Sequence, residues 1–193
     1  MCNAEHEPRL LPYAEARGRI RGGDLLLFRR SGRLAGLLIG AAGRSVYCHA
    51  GMAAWWGRRL MALEMVQFRG GRAVLLSNLV ARQPGRIDVY EANAPGLPFD
   101  RRRAVEQMKE FTGRDYGWRA LLWCGLWHVP LVRLLLRPDA DDRANGSPPF
   151  CSMAVARAVR AGGVDPVPNL ADRLTEPADL ARSGFYRYRF TLV

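Results

Sequence analysis

The apolar residues of this chain change their spacing part-way along, and that change limits the folds open to it. Up to about residue 91 they come in short runs or alternate with polar residues. The runs are LLLF at 25–28, SVYCHAGMAAWW at 45–56, LMALEMV at 60–66, AVLLSNLV at 73–80 and RIDVYE at 86–91. Runs of that length, bounded by glycine-rich turns, predict strands. The FRGGR between LMALEMV and AVLLSNLV predicts a hairpin turn. From residue 99 the spacing becomes helical, with Phe99, Val105, Met108 and Phe111 recurring and Asp100 placed to cap the start. Further helices are predicted over 33–42, 118–136, Cys151–Ala161 and the capped TEPADLARSG, where Thr175 precedes Pro177. The closing FYRYRFTLV alternates and predicts a strand. Strands first, helices after and one last strand predict an α+β fold: an antiparallel sheet or barrel packed against helices.

A chain of 193 residues that is 49% apolar can bury its own core as one domain. Residues 1–19 are expected to be a polar lead-in, and 20–193 the domain, with a helical Trp-rich insertion at about 118–147. Within that insertion Arg119, His128, Pro130 and Arg133 interrupt WRALLWCGLWHVPLVRLLL. A membrane span wants about 20 mostly apolar residues. A buried or interfacial helix broken near Pro130 is therefore expected. The N-terminal MCNAEHEPRL has no basic start followed by an apolar run, hence no secretory signal. The expectation is a protein cytoplasmic as synthesised, with export as an effector or a phage product left open.

The net charge is +11, and Lys109 is the only lysine. Such a balance suits an anionic partner, a cell-wall polymer or a lipid surface, or simply a solvated face. Nucleic acid is not favoured: the arginines form no basic tail, and no stacking or zinc motif accompanies them. None of the four cysteines, Cys2, Cys48, Cys124 and Cys151, forms a CxxC pair, which argues against a zinc ribbon.

Cys151 is the residue with the most chemical promise. Pro148 and Pro149 precede it, so a helix starts at or near it. The unpaired N–H groups and partial positive charge of a helix start favour a thiolate and can hold an oxyanion. The alternative is a small buried hydrophobe. A nucleophilic cysteine needs a base. His6 lies in the polar lead-in and His128 in the apolar helix, but His49 stands in a predicted strand among Cys48, Ala50 and Gly51, where another element can approach. The alternative for His49 is a structural role. An imidazole in turn needs an orienting acceptor. Glu64 is the single carboxylate inside LMALEMV, costly there unless paired or near the surface. A zinc site of Cys48, His49 and Cys151 is the remaining competitor.

In order, the segments GDLLLF, YCHAGM, LMALEM, GRDYGW and FCSMAVARAV resemble the circularly permuted branch of the NlpC-type papain-like hydrolases, the YiiX-like group. The resemblance runs from about residue 20 to the C-terminus, and histidine preceding cysteine is its specific feature. It implies a permuted papain-like fold in which Cys151 is the nucleophile, His49 the base and Glu64 the orienting acid. It places Tyr47, Ser152 and Tyr116 at the oxyanion site or the pocket wall. The Trp-rich segment departs from the pattern and offers Trp118, Trp123 and Trp127 as substrate-pocket candidates.

The implied chemistry is acyl transfer without metal or cofactor, on a peptide- or acyl-containing substrate. Cell-wall peptides come first, by resemblance. A lipid or thioester hydrolase or acyltransferase at a membrane surface is the second reading. A non-catalytic basic binding module on the same fold is the third.

Overall fold

The structure is a computed structural model that describes residues 8–30, 45–126, 148–168 and 170–193. Its strands are β1 (Leu10–Leu11), β2 (Leu25–Arg29), β3 (Tyr47–Trp56), β4 (Arg59–Val66), β5 (Gly70–Leu75), β6 (Ile87–Ala92) and β7 (Tyr186–Leu192). Its helices are α1 (Tyr13–Ala16), α2 (Leu76–Arg82), α3 (Arg101–Glu110), α4 (Trp118–Leu126), α5 (Cys151–Ala161) and α6 (Pro177–Arg182). All seven strands join one sheet in the order β1-β7-β6-β2-β3-β4-β5. Every pairing is antiparallel except the short parallel contact of β1 with β7. The molecule is thus α+β, a mostly antiparallel sheet packed against helices, as the change in spacing predicts. The helix expected over 33–42 lies outside the described residues, as does the run 118–136 beyond Leu126.

The sheet is covered on both faces. Leu25, Leu27, Ala50, Met52, Ala54, Leu63 and Met65 pack with α3 and α5 in one core. Their alternates Leu26, Phe28, Ala53, Ala62, Ile87 and Val89 pack with α2 and Ile20 in another. A strand buried on both sides need not alternate, and this is why β2 reads as the unbroken run LLLF. Helix α5 is buried nearly all round, from Cys151 to Ala156 and again at Ala158 and Val159. The Asp100 carboxylate accepts from the Arg103 N–H at 3.0 Å, the cap expected for α3.

Four details differ from the sequence reading. The lead-in is part of the fold from residue 10: β1 extends the sheet, and Ala16 and Ile20 are core residues. The segment AVLLSNLV is half strand and half helix, because Leu76, Leu79 and Val80 have the spacing to bury one helical face. The α6 cap is Glu176, whose partner in the capping box is Asp179, and not Thr175. The hairpin at FRGGR is present, but its glycines lie in β5 and not in the turn. A Cβ on Gly71 would meet the Phe111 carbonyl oxygen at 1.8 Å. The glycine lets the end of α3 come against the strand, where the Gly71 N–H donates to the Arg114 carbonyl at 2.8 Å.

Candidate active site

Strand register places the charged residues. Gly51 in β3 lies opposite Glu64 in β4, and Glu64 lies opposite Arg72 in β5. His49 is two residues before Gly51, so Glu64 reaches it along the diagonal. The missing side chain at 51 helps, since a Cβ there would crowd the Leu63 carbonyl at 3.0 Å and the Glu64 Cβ at 3.4 Å. His49 Nε2 stands 2.7 Å from Glu64 Oε2. The other carboxylate oxygen, Oε1, accepts from Arg72 twice, from Nε at 2.9 Å and from a terminal nitrogen at 2.7 Å. Glu64 is only 3% exposed, so a lone charge there would be costly, and these partners are what hold it ionised. Burial alone would push its carboxyl up, but His49 and Arg72 bring it below the usual carboxylate range.

The other side of the imidazole belongs to Cys151, whose sulfur interacts with His49. With Nε2 turned to Glu64, Nδ1 is the nitrogen left for the sulfur. Phe28, the strand partner of His49, backs the ring at 5.0 Å between centroids. Burial raises the Cys151 thiol, yet the hydrogen bond and charge of His49, with the N–H groups of Ala50 and Ser152, turn the net direction downward. Burial lowers His49, but Cys151 and Glu64 reverse it and push it up to about 10. Both directions favour a thiolate paired with an imidazolium over the neutral pair.

Tyr116 reaches the same sulfur. Its side chain interacts with Cys151 and Gln67, and burial followed by the Cys151 charge raises the phenol. The close passage of two loops brings it there: the Gly117 N–H donates to the Pro149 carbonyl at 3.1 Å, two residues before Cys151. Trp118 follows, 5.1 Å from the Tyr116 ring.

The structure thus brings together Cys151, His49, Glu64 and Tyr116, with Trp118 next to Tyr116. Two expected pocket residues have their hydroxyls committed elsewhere. Ser152 is buried and donates its hydroxyl to the Thr175 carbonyl at 2.7 Å, so only its N–H faces the sulfur. Tyr47 donates to Asp88 at 2.6 Å and lies 2.9 Å from the Tyr90 hydroxyl. The cause is a shift in the β2–β3 register: His49 pairs with Phe28 but Tyr47 pairs with Arg29. The extra residue turns Tyr47 toward the core opposite that of Phe28. The Trp123 side chain, Trp127, His6 and His128 lie outside the described residues. Sequence reading missed Arg72, Gln67 and the Ala50 N–H. Only Arg72 had a signal: pairing the two arms of the FRGGR hairpin sets an arginine across from Glu64.

No protein-family model and no curated protein matches the chain. Among solved structures it is similar to the metalloprotein yiiX from Escherichia coli O157:H7, with a TM-score of 0.61 and 16% identity. The match covers 89% of this chain and 97% of that one. At this identity the likeness is one of fold, and it agrees with the YiiX-like arrangement expected from the ordered motifs.

Proposed function

We propose that the chain is a cysteine hydrolase that works by acyl transfer through Cys151, His49 and Glu64. The observation that carries this reading is the His49 ring held between the Glu64 carboxylate at 2.7 Å and the Cys151 sulfur. The thiolate attacks a carbonyl carbon, and the His49 imidazolium gives its proton to the leaving group as the carbon–heteroatom bond breaks. Neutral His49 then takes a proton from water, whose oxygen attacks the S-acyl carbon and displaces the thiolate, giving a carboxylic acid. Glu64 keeps the ring oriented and stabilises its cation at each stage. The Tyr116 hydroxyl and the N–H groups at the start of α5 are the donors in reach of the oxyanion.

The similar structure is described as a metalloprotein. Among the described residues of this chain, no group of three or more His, Cys, Asp or Glu is arranged to hold a metal ion. Cys48 turns its sulfur to the Phe28 carbonyl at 3.5 Å, so a zinc site of Cys48, His49 and Cys151 does not fit. The reaction above runs on side chains alone.

Cell-wall peptides are the first substrate class, by the sequence resemblance. Lipid or thioester substrates are the second, favoured by the apolar Trp118 beside Tyr116. Digestion of purified wall material alongside phospholipid, with products read by mass spectrometry, separates them. A Cys151→Ala protein that still releases either product would sink the nucleophile, and a binding module would release neither.

A further inference from the structure

The turn between β4 and β5 lies at the same end of the sheet as His49, because the antiparallel register carries β4 from Glu64 past that end. Phe68 at this turn is 87% exposed and has φ 63°. That backbone region suits Gly or Asn, and a bulky aromatic residue in it is strained. The strain gives no core contact in return. Instead the Phe68 ring stands 4.8 Å from Trp118, itself 36% exposed. Leu122, one helical turn further along α4, is 66% exposed. Three apolar side chains thus stand in water, with Trp118 beside Tyr116, the residue that interacts with Cys151.

The charges around them have one sign in excess. Residues 67–72 and 114–122 contain Arg69, Arg72, Arg114 and Arg119 against Asp115. Arg72 is neutralised by Glu64. Arg69, Arg114 and Arg119 are exposed, as is Asp115. The Arg114 carbonyl abuts Gly70, which brings that residue against the turn.

We propose that this edge, Phe68, Trp118 and Leu122 with the flanking arginines, docks the protein on an anionic lipid bilayer. Aromatic rings settle at the interface and arginines are drawn to acidic headgroups. An anionic wall polymer would engage the arginines but leave the apolar side chains in water. No helix among the described residues is long and apolar enough to cross a membrane. Docking rests on this surface and not on the cysteine chemistry. If both hold, the bilayer meets the protein next to the sulfur.

The test is co-sedimentation of the Cys151→Ala protein with vesicles of phosphatidylcholine alone or mixed with phosphatidylglycerol. Partition into the mixed vesicles should be greater by about 25-fold, since each arginine near an anionic surface is worth roughly fivefold and Asp115 offsets one of the three. Phe68→Asn should lower that partition by about tenfold. Asparagine accepts the left-handed backbone, so the thermal midpoint should not fall. Arg69→Gln with Arg119→Gln should erase the preference for the mixed vesicles. Equal binding by Phe68→Asn and its parent overturns the proposal, and so does absence of binding to either vesicle. If Phe68→Asn weakens binding of a soluble short-chain acyl amide but not of vesicles, the edge belongs to a single acyl chain and docking is overturned. Alkylation of Cys151, followed on the Phe68→Asn protein with its cysteine intact, keeps the two ideas apart. Vesicle binding lost by the parent with alkylation normal sinks docking alone.

Discussion

Replacing His49 by alanine is expected to change the pH profile of Cys151 alkylation more than its maximum. In the native site His49 draws the Cys151 thiol downward and so favours the thiolate, and its own pKa is pushed up to about 10. The variant keeps the burial, which raises the thiol, and the Ala50 and Ser152 N–H groups, which lower it. An ordinary thiol of pKa about 8.5 is only about 0.3% ionised at pH 6, a roughly 300-fold loss of nucleophile. A more basic thiolate is also more reactive, with a Brønsted slope of about 0.4–0.5, which offsets part of that loss. The net expectation is a drop of about tenfold or more at pH 6, shrinking to none or reversing near pH 9. The assay is alkylation by iodoacetamide, resolved by peptide mass spectrometry. The burial of Cys124 pushes its thiol up to about 12, and burial raises Cys48 also, so neither competes at pH 6. Parallel profiles for the native protein and the variant, with no crossing, would refute the thiolate–imidazolium pair and the mechanism built on it.

Glu64→Gln should abolish hydrolysis and cost about 3–5 kcal/mol in urea unfolding, because it strips a buried carboxylate from two cationic partners. Glu64 titrates below its unfolded value, so its stabilisation is present above about pH 4.3 and is lost as pH falls through the folded pKa. The deficit of the variant should therefore shrink in acid. Arg72→Ala should move the alkylation profile of Cys151 to higher pH, and Arg72→Lys, which keeps the charge and one donor, should restore most of it. Tyr116→Phe keeps the ring against Trp118 but removes the hydroxyl. It should lower kcat by about 10–1,000-fold if that donor serves the oxyanion, and leave the thermal midpoint nearly unchanged. Gly71→Ala sets a Cβ against a backbone carbonyl that cannot give way. Soluble yield and thermal midpoint should both collapse, by more than about 4 kcal/mol.

What could be read from the sequence was whatever depends on neighbours along the chain. The strand runs, the Asp100 cap and the proline-started helix of Cys151 are local, and each stands where local physics puts it. The positions of Cys151, His49 and Glu64 were legible as three unusual residues in an order. Their approach was not, because it depends on which strand lies beside which. Tyr47 shows the limit. It is two residues from His49 and would share its face in a regular strand, but the register shift at Cys48 sends it to Asp88. No property of YCHAGM reveals that shift. The glycines of FRGGR show the same limit: they read as a turn, but their reason is the carbonyls of Arg114 and Phe111, some forty residues on.

Arg72 ties these points together. A thiolate, an imidazolium and a carboxylate sum to one negative charge, and two of the three groups, Cys151 and Glu64, are almost wholly buried. Such a cluster would drift toward its neutral forms, with the proton returning from His49 to the sulfur. Arg72 brings the sum to zero while its side chain remains 29% exposed, so most of its own desolvation is avoided. The neighbouring polar cluster is balanced in the same way, since fully buried Asp88 meets Arg29 at 2.9 Å. Each buried acid of the sheet thus has an arginine at the rim. Sequence shows the acid as an anomaly inside an apolar run, whereas its arginine looks like any other of a basic surface. The charge balance that favours an ionised Cys151 is for that reason the part of the site that strand register alone could disclose.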